Sequence, residues 1–173
     1  ERRTRCADNL RAIGFALNSY ASGNWGYYPC VIHDMKDAPT GYVAFSGADS
    51  GTPFAADSTV RPNDVTAGLW LLVRGGFVGK PYEPPTQVFI CPSTWDECDP
   101  IFGPDGQPVS LDQRGNFRSG RNLSYSYCST FTACEAFRLG DFQKPRFAVM
   151  ADKNPGIGGG RDVTGPGPDA PPF

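Results

Sequence analysis

The feature that most constrains this chain is the spacing of apolar side chains near its start, in "TRCADNLRAIGFALNSY", residues 4 to 20. Cys6, Leu10, Ile13, Leu17 and Tyr20 recur in steps of four and three, which places them on one face of an α-helix. Ala12, Phe15 and Ala16 are expected to widen that face. No capping residue precedes the run, and "ASG" at 21–23 predicts its end, with Gly23 in the left-handed conformation of a C-cap.

A helix with one apolar stripe needs a partner surface. The chain has 173 residues, including 21 glycines and 17 prolines, enough for one core wrapped in long loops. Residues 24–62 show no helical period and read as an irregular loop. "NDVTAGLWLLVRGGFV" restores it: Asn63 or Asp64 can cap, Leu69, Leu72 and Val73 face one way, and Gly75-Gly76 ends the helix. "QVFIC" (87–91), "LSYSYCSTF" (123–131) and "RFAVMAD" (146–152) have the β-favouring or alternating character of strands. The expected class is α+β: a long N-terminal amphipathic helix packed on a small antiparallel β-sheet, with long Gly/Pro-rich loops. The domain spans 1–154 (helix 1–22, irregular loop 24–62, helix and sheet region 63–154), and 155–173 is a Gly/Pro-rich C-terminal tail.

A net charge of -2 gives no reason to expect a nucleic-acid partner. No window approaches the roughly 20 apolar residues that cross a bilayer. The six cysteines, Cys6, Cys30, Cys91, Cys98, Cys128 and Cys134, favour disulfides and export. The spacings of Cys91 to Cys98 and Cys128 to Cys134 exceed a zinc knuckle, and the connectivity stays open.

The sequence offers little for catalysis. His33, the single histidine, lies beside Asp34 in the irregular loop and reads as a solvated loop residue. "GIGGG" at 156–160 lacks the helix that a phosphate-binding loop needs. Trp25, Tyr27, Tyr28, Trp70 and Trp95 could line a sugar platform but read as core and loop anchors. Asn122-Leu123-Ser124 matches a glycosylation acceptor, a pattern common by chance. Asp152, Asn154 and Asp162 form a candidate calcium site, because hard oxygen ligands in a glycine-rich loop suit that ion; no other cofactor is expected.

The opening segment resembles the type IV pilin-like and type II secretion pseudopilin-like proteins of planctomycete-type bacteria, the DUF1559 group. Arg2, Arg3, Cys6, Asn9, Leu10, Arg11, Ile13, Gly14, Ala16, Leu17 and Tyr20 stand where that group has its pattern. "AGLWLLVRGGFV" (67–78), "FICPS" (89–93), "SYSY" (124–127) and "VMAD" (149–152) look like its later landmarks, in order. Residues 153–173 depart from it.

The resemblance implies a precursor with a basic leader, a cleavage and methylation site, and an apolar helix of about 20 residues running into Glu1. It implies an exported structural subunit, in the periplasm or at the cell surface and anchored in the inner membrane before assembly. Such a subunit works by packing and not as an enzyme. Its partners would be other pilin-like subunits, through the upstream helix, and the secretion machinery, with no nucleic acid. A cell-surface adhesin or ligand-binding module on the same scaffold is the alternative. The resemblance also implies a Cys6–Cys91 disulfide. Cys128 with Cys134 is a second expectation, feasible only if the residues between them turn back, and Cys30 with Cys98 then remains.

Overall fold

The structure, a computed structural model, describes residues 2–34, 36, 43–128, 139–144 and 147–152. Its elements in chain order are α1 (Arg2–Ser22), α2 (Val65–Arg74), β1 (Tyr125–Tyr127) and β2 (Met150–Asp152), with short 3-10 turns at Pro85–Phe89, Leu111–Gln113 and Gly120–Asn122. The α+β class expected from the sequence is present.

Helix α1 buries Cys6, Ile13, Ala16, Leu17 and Ala21, with Leu10 and Tyr20 half-buried at the edges of the same stripe. Phe15 departs from expectation: it is 67% exposed. At about 100° per residue, a position midway between Ile13 and Leu17 lies on the opposite side of the helix. The helix ends where predicted, with the Gly23 and Gly26 N–H groups donating to the Tyr20 and Ala21 carbonyls. The left-handed residues, however, are Trp25 (φ 56°) and Gly26 (φ 80°) and not Gly23.

Helix α2 is central. Asp64 caps it by accepting from the Ala67 N–H at 2.9 Å, and the Gly75 N–H donates back to the Leu71 carbonyl. Every residue from Val65 to Val73 is buried, as a helix apolar on all sides requires. Gly68 lets the backbone at Pro29 pass close, since a Cβ there would lie 3.0 Å from the Pro29 carbonyl oxygen. Trp70, Phe117 and Phe89 stack edge to face at 5.0 Å intervals to form the centre of the core.

The expected strand at 87–91 is instead the 3-10 turn Pro85–Phe89 followed by extended backbone at Ile90. Pro84 and Pro85 fix φ near the helical range and withhold N–H donors from a ladder. Among the described residues the sheet therefore has two strands, antiparallel, with Tyr125 opposite Asp152 and Tyr127 opposite Met150. Helix α1 packs on the Pro85–Phe89 turn, α2 and β2, and not on a sheet alone.

Buried polar groups order the irregular segments. The Asp64 carboxylate accepts from the Ser46 N–H, the Thr66 hydroxyl and the Asn116 amide as well as from the cap. Asn63 sits at φ 61° and exchanges two 3.0 Å bonds with the Asp34 backbone. Arg114 and Asp99 form a fully buried ion pair. All five guanidinium N–H donors are used, on Asp99 and on the carbonyls of Ala48, Phe102 and Asn116.

Candidate functional site

Helix α1 has two unlike sides, and their difference is the clearest functional geometry in the molecule. The inner side is tied down along its length. Near its start a disulfide joins Cys6 to Cys91, with Cα atoms 5.3 Å apart, as the resemblance implied. One turn on, the Asn9 amide donates to the Ile90 carbonyl at 2.9 Å and to the Tyr125 hydroxyl at 3.2 Å. Ile13 and Leu17 enter the core, and Tyr20 meets Phe77 edge to face at 5.5 Å. The outer side carries Asp8, Arg11, Phe15, Asn18 and Ser22, all exposed, with Arg11 paired to Asp8 at 2.7 Å.

Between α1 and the segment after α2 runs a shallow groove of about 140 Å³. Arg5, Asn9 and Ala12 form one wall; Val78, Lys80 and Val88 contribute to the other. None of the residues from 77 to 88 stood out in the sequence as site residues, because only the disulfide and the proline turn bring them alongside α1.

The remaining candidates scatter. Cys98 is a thiol bonded to the Thr86 hydroxyl at 2.8 Å, so the Cys30–Cys98 link is not formed. The Cys30 sulfur instead donates to the Val31 carbonyl at 3.2 Å. Cys128 is also a thiol, donating to the Ala148 carbonyl at 3.2 Å, and so is not paired with Cys134, which lies outside the described residues. Burial pushes the Cys98 and Cys128 thiols up, which keeps them protonated at neutral pH and poor nucleophiles.

Of the calcium candidates, Asp152 closes β2, while Asn154 and Asp162 lie outside the described residues. The tail 155–173 and the "GIGGG" run lie outside them too. Among the described residues no group of three or more His, Cys, Asp or Glu could hold a metal ion. His33 is half-buried, in the segment that Asn63 pins at Asp34. Asn122 is buried, its amide donating to the Glu97 carbonyl at 2.9 Å, so folding withdraws the glycosylation acceptor from solvent.

The aromatic set also divides. Trp70 is core, and the Tyr28 hydroxyl is tied to Asn18 at 3.0 Å. Trp25 and Trp95 stand 94% and 95% exposed, and Tyr27 packs edge-on against Phe142. Tyr20, Tyr28 and Tyr127 all titrate above the usual tyrosine range, desolvation being the main cause in each.

No helix among the described residues is long and apolar enough to cross a membrane. No protein-family model, curated protein or solved structure matches this chain.

Proposed function

We propose that the chain is an exported structural subunit of a pilin-like filament, of the type II secretion pseudopilin or type IV pilus kind, acting by assembly and not by catalysis. The observation that carries this reading is the asymmetry of α1. One side is held to the body by a disulfide, two hydrogen bonds from the Asn9 amide and a buried stripe, while the other presents Phe15 to solvent. A helix fixed in this way transmits load from neighbouring subunits to the body without peeling off. The disulfide also accords with export, since such bonds persist in oxidising compartments. In this reading the precursor's apolar helix extends α1 upstream and anchors the subunit in the inner membrane before assembly.

The test is oxidative cross-linking of the full-length precursor carrying Phe15→Cys in cells that make it. Reducible multimers that the unsubstituted precursor does not give are expected. A precursor that remains monomeric after cross-linking would overturn the filament reading. The alternative, a cell-surface adhesin or ligand-binding module on the same scaffold, is favoured by Trp25 and Trp95, which expose nearly their whole surface on loops. Loss of surface adhesion in Trp25→Ala and Trp95→Ala, with cross-linking intact, would support it.

A further inference from the structure

We propose that the groove between α1 and the segment after α2 holds an extended segment of a partner protein that carries one acidic side chain between apolar ones. Arg5 borders the groove from α1 and Lys80 from the facing segment, and Glu83 is the carboxylate among the residues that line it. Lys80 and Glu83 stand 4.0 Å apart, both exposed, so water screens the pair. Arg5 has no ion pair among the described residues, which leaves the groove an excess of positive charge. Ala12, Val78 and Val88 add apolar surface to the same walls.

The groove also offers hydrogen-bonding groups of both kinds. The Asn9 amide donates to the Ile90 carbonyl and the Tyr125 hydroxyl, and its side-chain oxygen accepts nothing among the described residues. On the facing segment the Val78 and Gly79 N–H groups have no acceptor among the described residues. An acceptor on one wall and backbone donors on the other suit a peptide, whose own N–H and C=O groups repeat along an extended chain. Size narrows the class of ligand. At about 140 Å³ the space suits one side chain, since roughly 150 Å³ holds a benzene-sized group and sites for whole drug-sized ligands run to roughly 300 Å³ and above. A nucleic-acid strand draws on many cations, whereas two oppose one carboxylate here. The walls are set before binding: the Cys6–Cys91 bond fixes α1 next to Arg5, and Pro84 and Pro85 stiffen the turn opposite, so little ordering opposes association. The inference depends neither on how α1 begins nor on the filament reading.

The experiment is an amide-detected NMR titration of the isotope-labelled chain with two acetylated, amidated tripeptides, Val-Glu-Val and Val-Gln-Val, at millimolar concentration. Saturable shifts are expected at the Val78 and Gly79 amides and at the Asn9 side-chain amide. The glutamate peptide should bind about fivefold more tightly than the glutamine peptide, a preference that shrinks as salt rises. Arg5→Gln/Lys80→Gln should abolish the preference, and Arg5→Lys, which keeps the charge, should retain it. Arg61→Gln, at an exposed position in the irregular loop, should leave both affinities unchanged. The Trp70 indole N–H, bonded to the Arg114 carbonyl, reports that each variant folds. The proposal is overturned by equal affinity for the two peptides, by shifts centred away from the groove, by a preference that survives the double substitution, or by no binding at all. Self-association of the chain through the same amides, without peptide, also overturns it, because a second copy is then the occupant.

Discussion

Arg114 and Asp99 meet in a two-point ion pair, 2.9 Å and 3.2 Å, with neither side chain exposed to solvent. The pair gathers the Ala48 carbonyl and the indole of Trp70, 5.2 Å from the guanidinium carbon, from distant stretches, and the Phe102 and Asn116 carbonyls from its own neighbourhood. The Arg114 carbonyl in turn accepts from the Trp70 ring N–H at 2.8 Å. Asp99 also receives the Ile101 and Arg118 N–H groups. This pair holds the loops around α2 in one arrangement.

Removing one partner should therefore be severe. Asp99→Ala leaves a buried guanidinium with two lost acceptors, and a loss of about 3 to 5 kcal/mol is expected. Chemical denaturation of Asp99→Ala beside the parent chain measures it. A loss below about 1 kcal/mol would show that the loops do not depend on the pair.

The Cys6–Cys91 bond closes a loop of sequence separation 85. In the chain-entropy model, closure of that loop stabilises the fold by about 4 to 5 kcal/mol. Thermal unfolding with and without reductant should show a marked drop in midpoint. Cys6→Ala/Cys91→Ala should reproduce it and be insensitive to reductant.

The two sides of α1 should respond oppositely to polarity. Ile13→Asp places an unpaired charge at a position with no solvent exposure and should cost roughly 3 kcal/mol or more. Phe15→Ser should change stability by no more than about 0.5 kcal/mol. Equal losses at the two sites would mean that α1 is seated differently.

The Tyr127 hydroxyl is buried with no hydrogen-bond partner among the described residues, and burial is the largest of the influences that raise its pKa well above the usual range. Tyr127→Phe should stabilise the fold by about 1 kcal/mol at neutral pH, because an unsatisfied buried hydroxyl is replaced by hydrogen.

Tyr20, Tyr28, Tyr127, Cys98 and Cys128 all have folded-state pKa values raised above their reference values of 10.0 for tyrosine and 9.0 for cysteine. Above those values the unfolded chain releases protons that the folded chain keeps. The stability these groups contribute is whole below about pH 9 and falls as pH rises through the reference values toward the folded ones. Denaturant midpoints measured between neutral and strongly alkaline pH should decline, and Tyr127→Phe should flatten the decline.

The sequence by itself determined the two helices and their ends within a residue or two, because helix periodicity and capping are local. Cys6, Ile13 and Leu17 face inward for that reason, and Asp64 caps α2 from the position its side-chain chemistry suggests. The same arithmetic would have placed Phe15 outside. Sequence also favoured disulfides, and the resemblance pointed to the one between Cys6 and Cys91. The prolines before "QVFIC" were a local signal against a strand there. Tertiary structure decided the rest. The partners of Cys98 and Cys128 depended on which groups lay within reach after folding. The Arg114–Asp99 pair left no local signal, since an arginine followed by glycine and an aspartate followed by proline are ordinary loop residues until the core closes over them. The groove beside Arg5 arises only when a segment some 75 residues later in the chain is laid along α1. Local periodicity is written in neighbouring side chains, whereas burial, pairing and cavities depend on contacts between distant ones.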